Sequence, residues 1–391
     1  MKKTNLKTLT AAAASFAAGM LLCMGLVVWR LGGFSLFPSV LKYAAALRLV
    51  QRDYIGEADP VEMTDTALSA AIGTLDRWSY YMTAEEYDDY LDYSNNRYQG
   101  IGVTVAKDEK SGGFEVLDLT VNGPAALAGV QIGEIITACD GVDVTGGTTA
   151  ELKAAIQAGF GGEVTLTLLA PDGTERELAV SCETIRTDPV LWERMDDGYG
   201  LIRITNFEAG MAESAIAAVD ALMEQGVEGI VFDVRSNPGG RVSELCELLD
   251  YLLPEGDLFI RADKNGREVV ERSDSAYADI PLAVLVNADS YSAAEFFAAA
   301  LQEYGRAVVA GEATTGKGRS QLTYVLSDGS AVHMSCYVYL TPQRVDLSQT
   351  GGITPDVTQE LDDGQRTLFA AGELAPADDP QIQAAVAALR S

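Results

Sequence analysis

The stretch Leu282-Ala-Val-Leu-Val-Asn287, followed after four residues by Ser292-Ala-Ala-Glu295, decides the fold. Its apolar first part predicts a buried strand, and its second part predicts the start of a helix. A serine at this junction lies at the carboxyl end of a strand, where open α/β sheets place their sites. The helix N-terminus adds unpaired N–H groups and a positive dipole end, which stabilise an oxyanion. Ser292 is therefore a candidate nucleophile, with a helix-capping role or the rival Ser290 as alternatives.

A lysine in a glycine-framed loop follows, in Thr314-Thr-Gly-Lys-Gly-Arg-Ser-Gln321. A lysine can act as a base when burial removes its proton, because a desolvated ammonium loses the hydration that stabilises its charge. The only histidine of the sequence, His333, lies in an apolar stretch that predicts a strand, where a structural or exposed role is expected. Lys317 and Ser292 together therefore suggest a Ser-Lys hydrolase, with a solvated loop lysine as the alternative.

A nucleotide site is the other functional alternative for the lysine loop. Gly311-Glu-Ala-Thr-Thr-Gly-Lys317 fits the first seven positions of a phosphate-binding loop. The eighth position should carry Ser or Thr to ligate magnesium, and Gly318 stands there. No clear helix follows the loop, so the sequence disfavours nucleotide binding.

Strand and helix signals alternate over residues 186–361, which predicts an α/β layered domain. The predicted strands span residues 200–205, 229–234, 282–287, 307–311 and 331–340, and the predicted helices span residues 210–225, 242–252 and 292–304. Helical spacing of apolar residues is also found over residues 37–97. From about residue 362 the chain becomes polar and rich in Ala, Pro and Asp. We expect a peripheral appendage there, with a short helix at 379–390.

Residues 98–185 resemble a PDZ domain. The match rests on Gly100-Ile-Gly-Val103, Asn122-Gly-Pro-Ala-Ala-Leu-Ala-Gly129, Ile132-Gly-Glu-Ile-Ile-Thr-Ala-Cys-Asp-Gly141, the helix Thr149-Ala-Glu-Leu-Lys-Ala-Ala-Ile156 and the strand Val164-Thr-Leu-Thr-Leu168. A glycine-rich turn before a strand exposes N–H groups that hold a terminal carboxylate, and an extended peptide adds to the strand edge. The predicted peptide-binding residues are Gly100, Ile101, Gly102, Val103, Leu152 and Ile156. A purely structural role in the core is the alternative for the four apolar ones.

The N-terminus predicts a membrane anchor. Residues 8–29 contain no charge, and these 22 positions can cross a hydrocarbon core as a helix. Three lysines precede the run, so the N-terminus is expected in the cytoplasm and the bulk of the chain outside. A cleaved signal peptide is the alternative to an uncleaved anchor.

Composition limits the partners. The formal net charge of −29 argues against nucleic acid, since phosphate binding needs clustered Lys and Arg. We expect no metal, because the cysteines show neither CxxC spacing nor partner histidines. No cofactor is expected either. The sequence does not decide whether two of the cysteines form a disulfide bond, which an external compartment would permit. The cysteines beyond the membrane segment are Cys139, Cys182, Cys246 and Cys336.

The site segments resemble the carboxy-terminal processing (tail-specific) peptidases. Ser292-Ala-Ala-Glu295, Thr315-Gly-Lys-Gly318 and Gln321 carry the resemblance. Matches in the family's order are Leu75-Asp76 with Ser79-Tyr80, the PDZ-like block, Asn237-Pro-Gly-Gly240 and Gly352-Ile-Thr-Pro-Asp356, so that about residues 40–361 are covered. The chain departs from the family's usual residues at Ala294, Thr315 and Arg77-Trp78, none of which is the expected nucleophile or base.

The resemblance implies a role for each matched residue. Ser292 would be the nucleophile and Lys317 the general base, and Gln321 would orient the amine of Lys317. Glu295 would help to hold the site together. The oxyanion hole would be formed by backbone N–H groups of Gly239, Gly240 and Ala293. The lysine must lose its proton to act, which predicts activity that rises with pH.

The sequence therefore predicts a multidomain α/β protein with a tail-specific protease, crotonase-like core. The expected regions are a cytoplasmic tip and transmembrane anchor (1–30), a helical region (37–97), a PDZ domain (98–185), a peptidase domain (186–361) and an appendage (362–391). We expect a membrane-anchored, extracytoplasmic serine endopeptidase that recognises the C-termini of protein or peptide substrates, with the PDZ domain gating the site as the resemblance implies. The alternative is a catalytically idle PDZ scaffold or peptide-binding protein. A homo-oligomer is left open.

Overall fold

The structure, a computed structural model, describes residues 15–20, 22, 25–26, 28–30, 33–274 and 276–390. The chain divides into two compact units, Met1–Leu75 and Asp76–Ser391. Among the described residues, no helix combines the length and the apolar character needed to cross a membrane. The predicted anchor at residues 8–29 lies in part outside the described residues.

The first unit contains two helices, α1 (Gly33–Asp53) and α2 (Pro60–Ile72). Helix α2 begins at Pro60 because the Asp59 carboxylate accepts the Val61 N–H, and proline at the first position needs no partner for a backbone N–H. The Tyr43 hydroxyl donates to Thr64 Oγ1 at 3.0 Å, which ties the two helices together. Neither helix contains a fully buried residue.

The second unit begins with β1 (Tyr80–Met82) and α3 (Ala84–Ser94), the latter opened by a capping box between Thr83 and Glu86. The PDZ part follows. Its strands are β2 (Arg97–Gly100), β3 (Val103–Lys107), β4 (Phe114–Leu119), β5 (Ile135–Cys139), β6 (Val142–Asp143), β7 (Glu163–Leu169), β8 (Glu175–Ser181) and β9 (Glu183–Arg186). Its helices are α4 (Pro124–Ala128) and α5 (Thr149–Gln157).

The PDZ sheet has the order β3-β4-β5-β7-β8, with β6 paired to β5, while β2 pairs with β9. Strand β3 is therefore an edge strand, and α5 contacts it. Both predicted helix residues of the groove, Leu152 and Ile156, are buried in the core of this part together with Ile101.

The peptidase part is built on a six-stranded sheet. Its strands are β10 (Val190–Arg194), β11 (Gly200–Ile204), β12 (Ile230–Asp233), β15 (Leu282–Val286), β16 (Ala307–Gly311) and β19 (Val357–Thr358). They follow the order β10-β11-β12-β15-β16-β19, and all neighbours are parallel except the edge pair β10–β11. The strands predicted near residues 200, 229, 282 and 307 are thus confirmed within two residues.

A second sheet has the order β1-β18-β13-β14, with β17 paired to β18. Its further strands are β13 (Gly256–Asp263), β14 (Glu268–Ser273), β17 (Arg319–Val325) and β18 (Ala331–Leu340). The strand predicted at 331–340 is therefore confirmed. Because β17 starts directly after the Lys317 loop, no helix follows that loop, and the phosphate-binding alternative loses its required context.

Successive side chains along each strand of the six-stranded sheet point to opposite faces. Because both faces are apolar, helices cover both of them. Residues such as Ile202, Phe232 and Val284 pack on one face, against α6 (Met211–Glu224), α7 (Val242–Leu252) and α8 (Ala293–Glu303). The alternate residues, such as Val231, Ala283 and Leu285, pack on the other face. The three helices agree with those predicted at 210–225, 242–252 and 292–304.

The C-terminal segment is not a peripheral appendage, and this prediction was wrong. After α9 (Leu347–Thr350), the segment from residue 362 contains α10 (Asp363–Ala371), the 3₁₀ turn Pro376–Asp378 and α11 (Pro380–Leu389). Helix α11 buries Ile382, Ala385 and Val386 against β15 and β16, so it forms one layer of the fold. The helix itself was predicted at 379–390.

Candidate active site

The candidate nucleophile lies at the sharp turn between β15 and α8. Ser292 is 7% exposed and has a φ of 59°. A non-glycine residue in this region stores about 1–3 kcal/mol of strain and persists only where its surroundings hold it. Here the Ser292 N–H donates to Glu295 Oε2 at 3.0 Å. Strained turns of this kind present a nucleophilic hydroxyl at the end of a strand.

Ser290, the rival candidate, has a structural role. Its side chain is fully buried, and its hydroxyl donates to the Val234 carbonyl at 2.8 Å. The hydroxyl oxygen also accepts the Asn287 N–H at 3.0 Å. The Ser290 hydroxyl thus both donates and accepts a hydrogen bond, and it fastens the turn to the residue that follows β12. Of the two candidate serines, Ser292 is the one that lines the cavity.

The candidate base is half-buried among aromatic rings. Lys317 Nζ lies 4.4 Å from the ring centroid of Trp78 and 5.6 Å from that of Tyr291. Burial lowers the pKa of the Lys317 ammonium to about 8; the charge of Glu295 opposes this shift, and that of Arg77 adds to it. Among the described residues, Nζ has no hydrogen-bond acceptor. Near neutral pH a fraction of Lys317 is therefore a neutral amine.

Glu295 joins the two segments. Its fully buried carboxylate accepts four hydrogen bonds: from the N–H of Ser292 (3.0 Å), the N–H of Lys317 (2.8 Å), the N–H of Gly316 (2.6 Å) and the hydroxyl of Thr314 (2.5 Å). A buried carboxylate needs such partners, because without them its charge would be costly to desolvate. The residue predicted to hold the site together thus binds both backbone segments directly.

The glycine loop at residues 236–240 packs directly against the nucleophile. A Cβ on Gly239 would lie 2.8 Å from both Ser292 Cβ and the Ala293 nitrogen. A Cβ on Gly240, where φ is 154°, would lie 2.4 Å from the Phe207 carbonyl. Both positions therefore require glycine, since a side chain would displace the loop from the serine.

The hydrogen bonds of this loop narrow the set of oxyanion donors. The Gly239 N–H, named in the prediction, already donates to Asn237 Oδ1 at 2.8 Å. Within the described part of the chain, the N–H groups of Gly240 and Ala293 have no acceptor. The Asn237 carbonyl accepts the N–H of Tyr291 at 3.1 Å, which fixes the loop to the turn that carries Ser292.

Ser292, Lys317 and Gln321 line one cavity of about 530 Å³, together with Gly239 and Gly240. Gln321 is not hydrogen-bonded to Lys317; its amide donates to the Arg319 carbonyl (3.2 Å) and to Ser335 Oγ (3.0 Å). Orientation of the amine by Gln321 therefore stays a prediction.

His333 also lines this cavity and is half-buried, so that of the two expected roles, structural or exposed, the exposed one does not apply. Its Nδ1 lies 2.8 Å from Thr323 Oγ1, and its ring lies 4.7 Å from that of Tyr80. Burial lowers the pKa of the imidazole to about 4, and the charge of Lys317 adds to the shift. The ring is therefore neutral near pH 7.

Aromatic residues dominate the remaining wall, and sequence reasoning missed them. They are Trp78, Tyr80, Tyr90, Tyr93, Tyr291 and Tyr339. Trp78 was noted only as a departure from the family pattern, yet its ring covers Lys317. The Asp76 carboxylate fixes this segment by accepting the Trp78 N–H (2.8 Å) and the Ser79 hydroxyl (3.1 Å). The tyrosines crowded over residues 80–98 were the available signal.

All six predicted peptide-binding residues of the PDZ part line one groove of about 320 Å³ between β3 and α5. Ile101, Leu152 and Ile156 belong to the core as well, so the two alternatives for these residues are not exclusive. Among the described residues, the N–H groups of Ile101 and Gly102 have no acceptor. The loop before β3 can therefore donate to a carboxylate.

A polar cavity of about 340 Å³ adjoins both sites. It shares Tyr98, Gln99, Lys153 and Gln157 with the PDZ groove and Tyr93 with the cavity around Ser292. Amide and charged side chains contribute most of its lining. The three cavities thus follow one another along the second unit.

This fold and this arrangement define a serine peptidase that carries a PDZ domain. A model of peptidase family S41 matches residues 198–359, and a model of the PDZ domain matches residues 115–169. The carboxyl-terminal-processing protease of Synechocystis is 31% identical to the chain over 334 residues, which cover 83% of this chain and 76% of that protein. The carboxy-terminal processing protease CtpA of Bacillus subtilis is 30% identical, with 82% and 69% covered.

The chain therefore belongs to the carboxyl-terminal processing proteases of peptidase family S41. A solved structure from Bacteroides fragilis, of a protein described as an S41 protease, aligns with a TM-score of 0.53 over 86% of this chain and 90% of that one. At 17% identity this likeness shows the fold alone.

Proposed function

We propose that the chain is an endopeptidase with a Ser292–Lys317 dyad that recognises the C-terminal ends of its substrates through the PDZ groove. One observation carries the proposal: the buried Glu295 carboxylate holds the N–H groups of both Ser292 and Lys317, and both residues line one cavity. A lysine whose pKa burial lowers to about 8 suits a general base near neutral pH.

In the proposed reaction, the neutral Lys317 amine takes the proton of the Ser292 hydroxyl, and the alkoxide attacks the scissile carbonyl. The oxyanion accepts hydrogen bonds from the N–H groups of Gly240 and Ala293 at the N-terminus of α8. The Lys317 ammonium then protonates the leaving amine. Water hydrolyses the acyl-enzyme, with Lys317 again as the base.

Substrate delivery is supported by the row of three cavities. A substrate tail adds to the edge of β3, with its carboxylate at the N–H groups of Ile101 and Gly102. The segment ahead of the tail lies in the polar cavity, where amide side chains suit the backbone of an extended peptide. The scissile bond then reaches the cavity around Ser292.

Cleavage of an unstructured peptide by the full chain in detergent tests the dyad. Ser292→Ala and Lys317→Ala are each expected to lower kcat by a factor of about 10³ or more. Lys264→Ala, which removes an exposed lysine of a hairpin turn, is the matched control. Equal turnover by wild type and both variants would disprove the dyad, and no turnover by wild type would favour the idle PDZ scaffold.

The PDZ role is tested with two peptides that share one cleavage site and differ only in a free or an amidated C-terminus. We expect at least about tenfold lower kcat/KM for the amidated peptide, because it lacks the charge that the N–H groups of the loop bind. Equal values for the two peptides would remove tail recognition from the proposal.

The proposal places the protein at the cell membrane as a single-pass protein, with the catalytic part outside the cytoplasm. The uncharged run at residues 8–29 behind three lysines supports this placement. The full chain is expected to remain in membranes under alkaline extraction, and a chain that starts after residue 30 is expected to be released. External protease should digest the catalytic part in spheroplasts. Release of the full chain would refute the anchor, and a protected catalytic part would refute its orientation.

A further inference from the structure

A buried ion cluster lies on the face of the sheet opposite to α8. Arg235, which is 4% exposed, donates from Nε and Nη2 to the two carboxylate oxygens of Asp233 at 2.8 and 2.7 Å. Its Nη1 lies 2.8 Å from Asp379 Oδ2. Both carboxylates are nearly inaccessible to solvent as well. One buried cation is thus shared between the strand that ends at Asp233 and the start of α11.

The C-terminal segment makes three separate contacts with this guanidinium. Besides the ion pair with Asp379, the Gln381 side-chain oxygen accepts from Arg235 Nη1 at 2.7 Å. The Phe369 ring of α10 lies 4.4 Å from Arg235 Cζ. Because a buried charge without partners is very costly, these contacts restrict where the guanidinium can lie.

Arg235 directly precedes the loop at residues 236–240. Ser236 has a φ of 56°, and its N–H donates to Asn287 Oδ1 at 2.8 Å. Asn237 then fixes the Gly239 N–H through its side chain and the Tyr291 N–H through its carbonyl. The position of the Gly240 N–H therefore depends on the short path from Arg235 to Gly240, in which hydrogen bonds fix the N–H groups of Ser236 and Gly239.

We propose that Asp379 is a positioning residue for catalysis, which holds Arg235 from the N-terminus of α11 and so sets the oxyanion loop at residues 236–240. This inference rests on the proposed function, in which the Gly240 N–H binds the oxyanion. Asp379 lies on the far side of the sheet and is not among the described residues that line the cavity around Ser292. Its effect is exerted through the backbone that leads to Gly240, while the elements that carry Ser292 and Lys317 remain in place.

Asp379→Asn is the informative substitution. Asp379 also caps α11, since its Oδ1 accepts the N–H groups of Gln381 and Ile382. Asparagine retains a capping oxygen and removes the charge that pairs with Arg235. Asp362→Asn is the matched control, because Asp362 caps α10 of the same segment and lies outside the ion cluster.

The readouts separate positioning from general stability. They are kcat and KM, the affinity for a peptide boronic acid, the affinity for a non-cleaved tail peptide that binds the PDZ groove, and the thermal midpoint. A boronic acid forms a tetrahedral adduct with the serine, and one of its oxygens occupies the oxyanion position. The affinity for the tail peptide reports the PDZ groove, which the loop at residues 236–240 does not line.

For Asp379→Asn we expect kcat and boronic-acid affinity to fall together by a factor of about 10 to 100, since a displaced oxyanion donor weakens the transition state. KM and tail-peptide affinity should stay within about twofold. Asp362→Asn should leave all of these values near wild type. Phe369→Leu, a milder change on a half-buried ring, should lower kcat and boronic-acid affinity in the same direction and serves if Asp379→Asn does not fold.

Wild-type kcat and boronic-acid affinity in folded Asp379→Asn, or in Phe369→Leu if that is the variant measured, would overturn the inference. So would a loss of kcat that is matched by an equal loss of tail-peptide affinity, or one that Asp362→Asn reproduces. A failure of the proposed function gives a different result. In that case Ser292→Ala would keep wild-type turnover, independently of the kcat measured for Asp379→Asn.

Discussion

The carboxylate of Glu295 accepts a hydrogen bond of 2.8 Å from the backbone N–H of Lys317. The same carboxylate accepts the N–H of Ser292, 25 positions earlier in the chain. A single buried side chain on the first turn of α8 therefore sets where the loop that carries Lys317, the proposed base, lies relative to Ser292, the proposed nucleophile.

Glu295→Gln is expected to lower kcat by a factor of about 10 to 100, because one amide oxygen cannot accept the four hydrogen bonds that the carboxylate receives. The NH₂ group would also face N–H donors, at a cost of about 1–3 kcal/mol. Steady-state kinetics and thermal unfolding measure the two effects. Glu303→Gln is the control, since Glu303 lies on the same helix and accepts from Thr341 and Gln343 away from the site. Equal effects of the two substitutions would show that Glu295 has no special role.

The pH dependence of kcat/KM reports the proposed base in the free enzyme. Because the neutral amine is the active form in the proposed mechanism, kcat/KM should rise about tenfold per pH unit below the Lys317 pKa of about 8 and level off above it. The measurement is a kcat/KM profile from pH 6 to 10 on a peptide without ionisable groups near the cleavage site. A profile that is already flat above pH 7 would argue against Lys317 as the base.

His333→Gln is expected to leave the rising limb of that profile at the same pH, within about half a pH unit. The imidazole, whose pKa burial lowers to about 4, is neutral throughout the range and carries no charge that could move the limb. Glutamine retains a polar group that can reach Thr323, the present partner of the ring. If the limb disappeared in this variant, the histidine would be the titrating group.

Lys317→Met is expected to abolish turnover and to stabilise the fold at pH 7. The folded-state pKa of about 8 lies below the unfolded value of 10.5, so the unfolded chain binds more protons between these values. The cost of the buried ammonium is therefore complete below pH 8 and is lost as the pH rises from 8 to 10.5. By 1.36 kcal/mol per pKa unit it is at most about 3 kcal/mol, and partial exposure reduces it.

Chemical unfolding at pH 7 and pH 10.5 measures this difference. The stabilisation of Lys317→Met relative to wild type should be clear at pH 7 and should shrink at pH 10.5. A variant that is less stable than wild type at pH 7 would mean that the rings of Trp78 and Tyr291 stabilise the ammonium more than burial destabilises it.

Gly240→Ala is expected to lower kcat by a factor of about 10² or more, because its Cβ would lie 2.4 Å from the Phe207 carbonyl and would force the oxyanion loop away. Gly266→Ala separates this clash from simple backbone strain. Gly266 also has a positive φ, of 77°, yet a Cβ there meets nothing within 4 Å. Kinetics and unfolding of the two variants are compared. Similar losses of activity in both would attribute the effect to strain alone.

Local signals were sufficient for the central strands and the three long helices of the peptidase part, whereas β10, β13, β14, β17 and β19 were not predicted. Helix α8 was predicted at 292–304 and spans Ala293–Glu303, and β18 agrees with the predicted 331–340. Such elements depend on the periodicity of apolar residues and on capping groups a few positions away, and both are visible along the chain. The residues of the site came instead from short motifs that resemble a known family.

The C-terminal segment shows where local signals fail. Its polar composition predicted a peripheral position, whereas Ile382, Ala385 and Val386 form a short buried stripe beneath the sheet. Three small or medium apolar side chains on one helix indicate that this face of the helix is covered. They do not identify the surface that covers it. That information exists only once β15 and β16 lie beside each other.

The amino-acid sequence by itself determined the central strands and the three long helices of the peptidase part, the PDZ-like block, and Ser292, Lys317 and Glu295 as the residues of interest. Only the tertiary structure decided that Trp78 covers the lysine amine, that Asn237 occupies the Gly239 N–H, and that Asp379 shares Arg235 with the strand before the oxyanion loop. The reason is physical. Burial, a shifted pKa and a shared hydrogen bond are properties of surfaces that meet across long stretches of chain, and no periodicity along the chain records which surfaces those are.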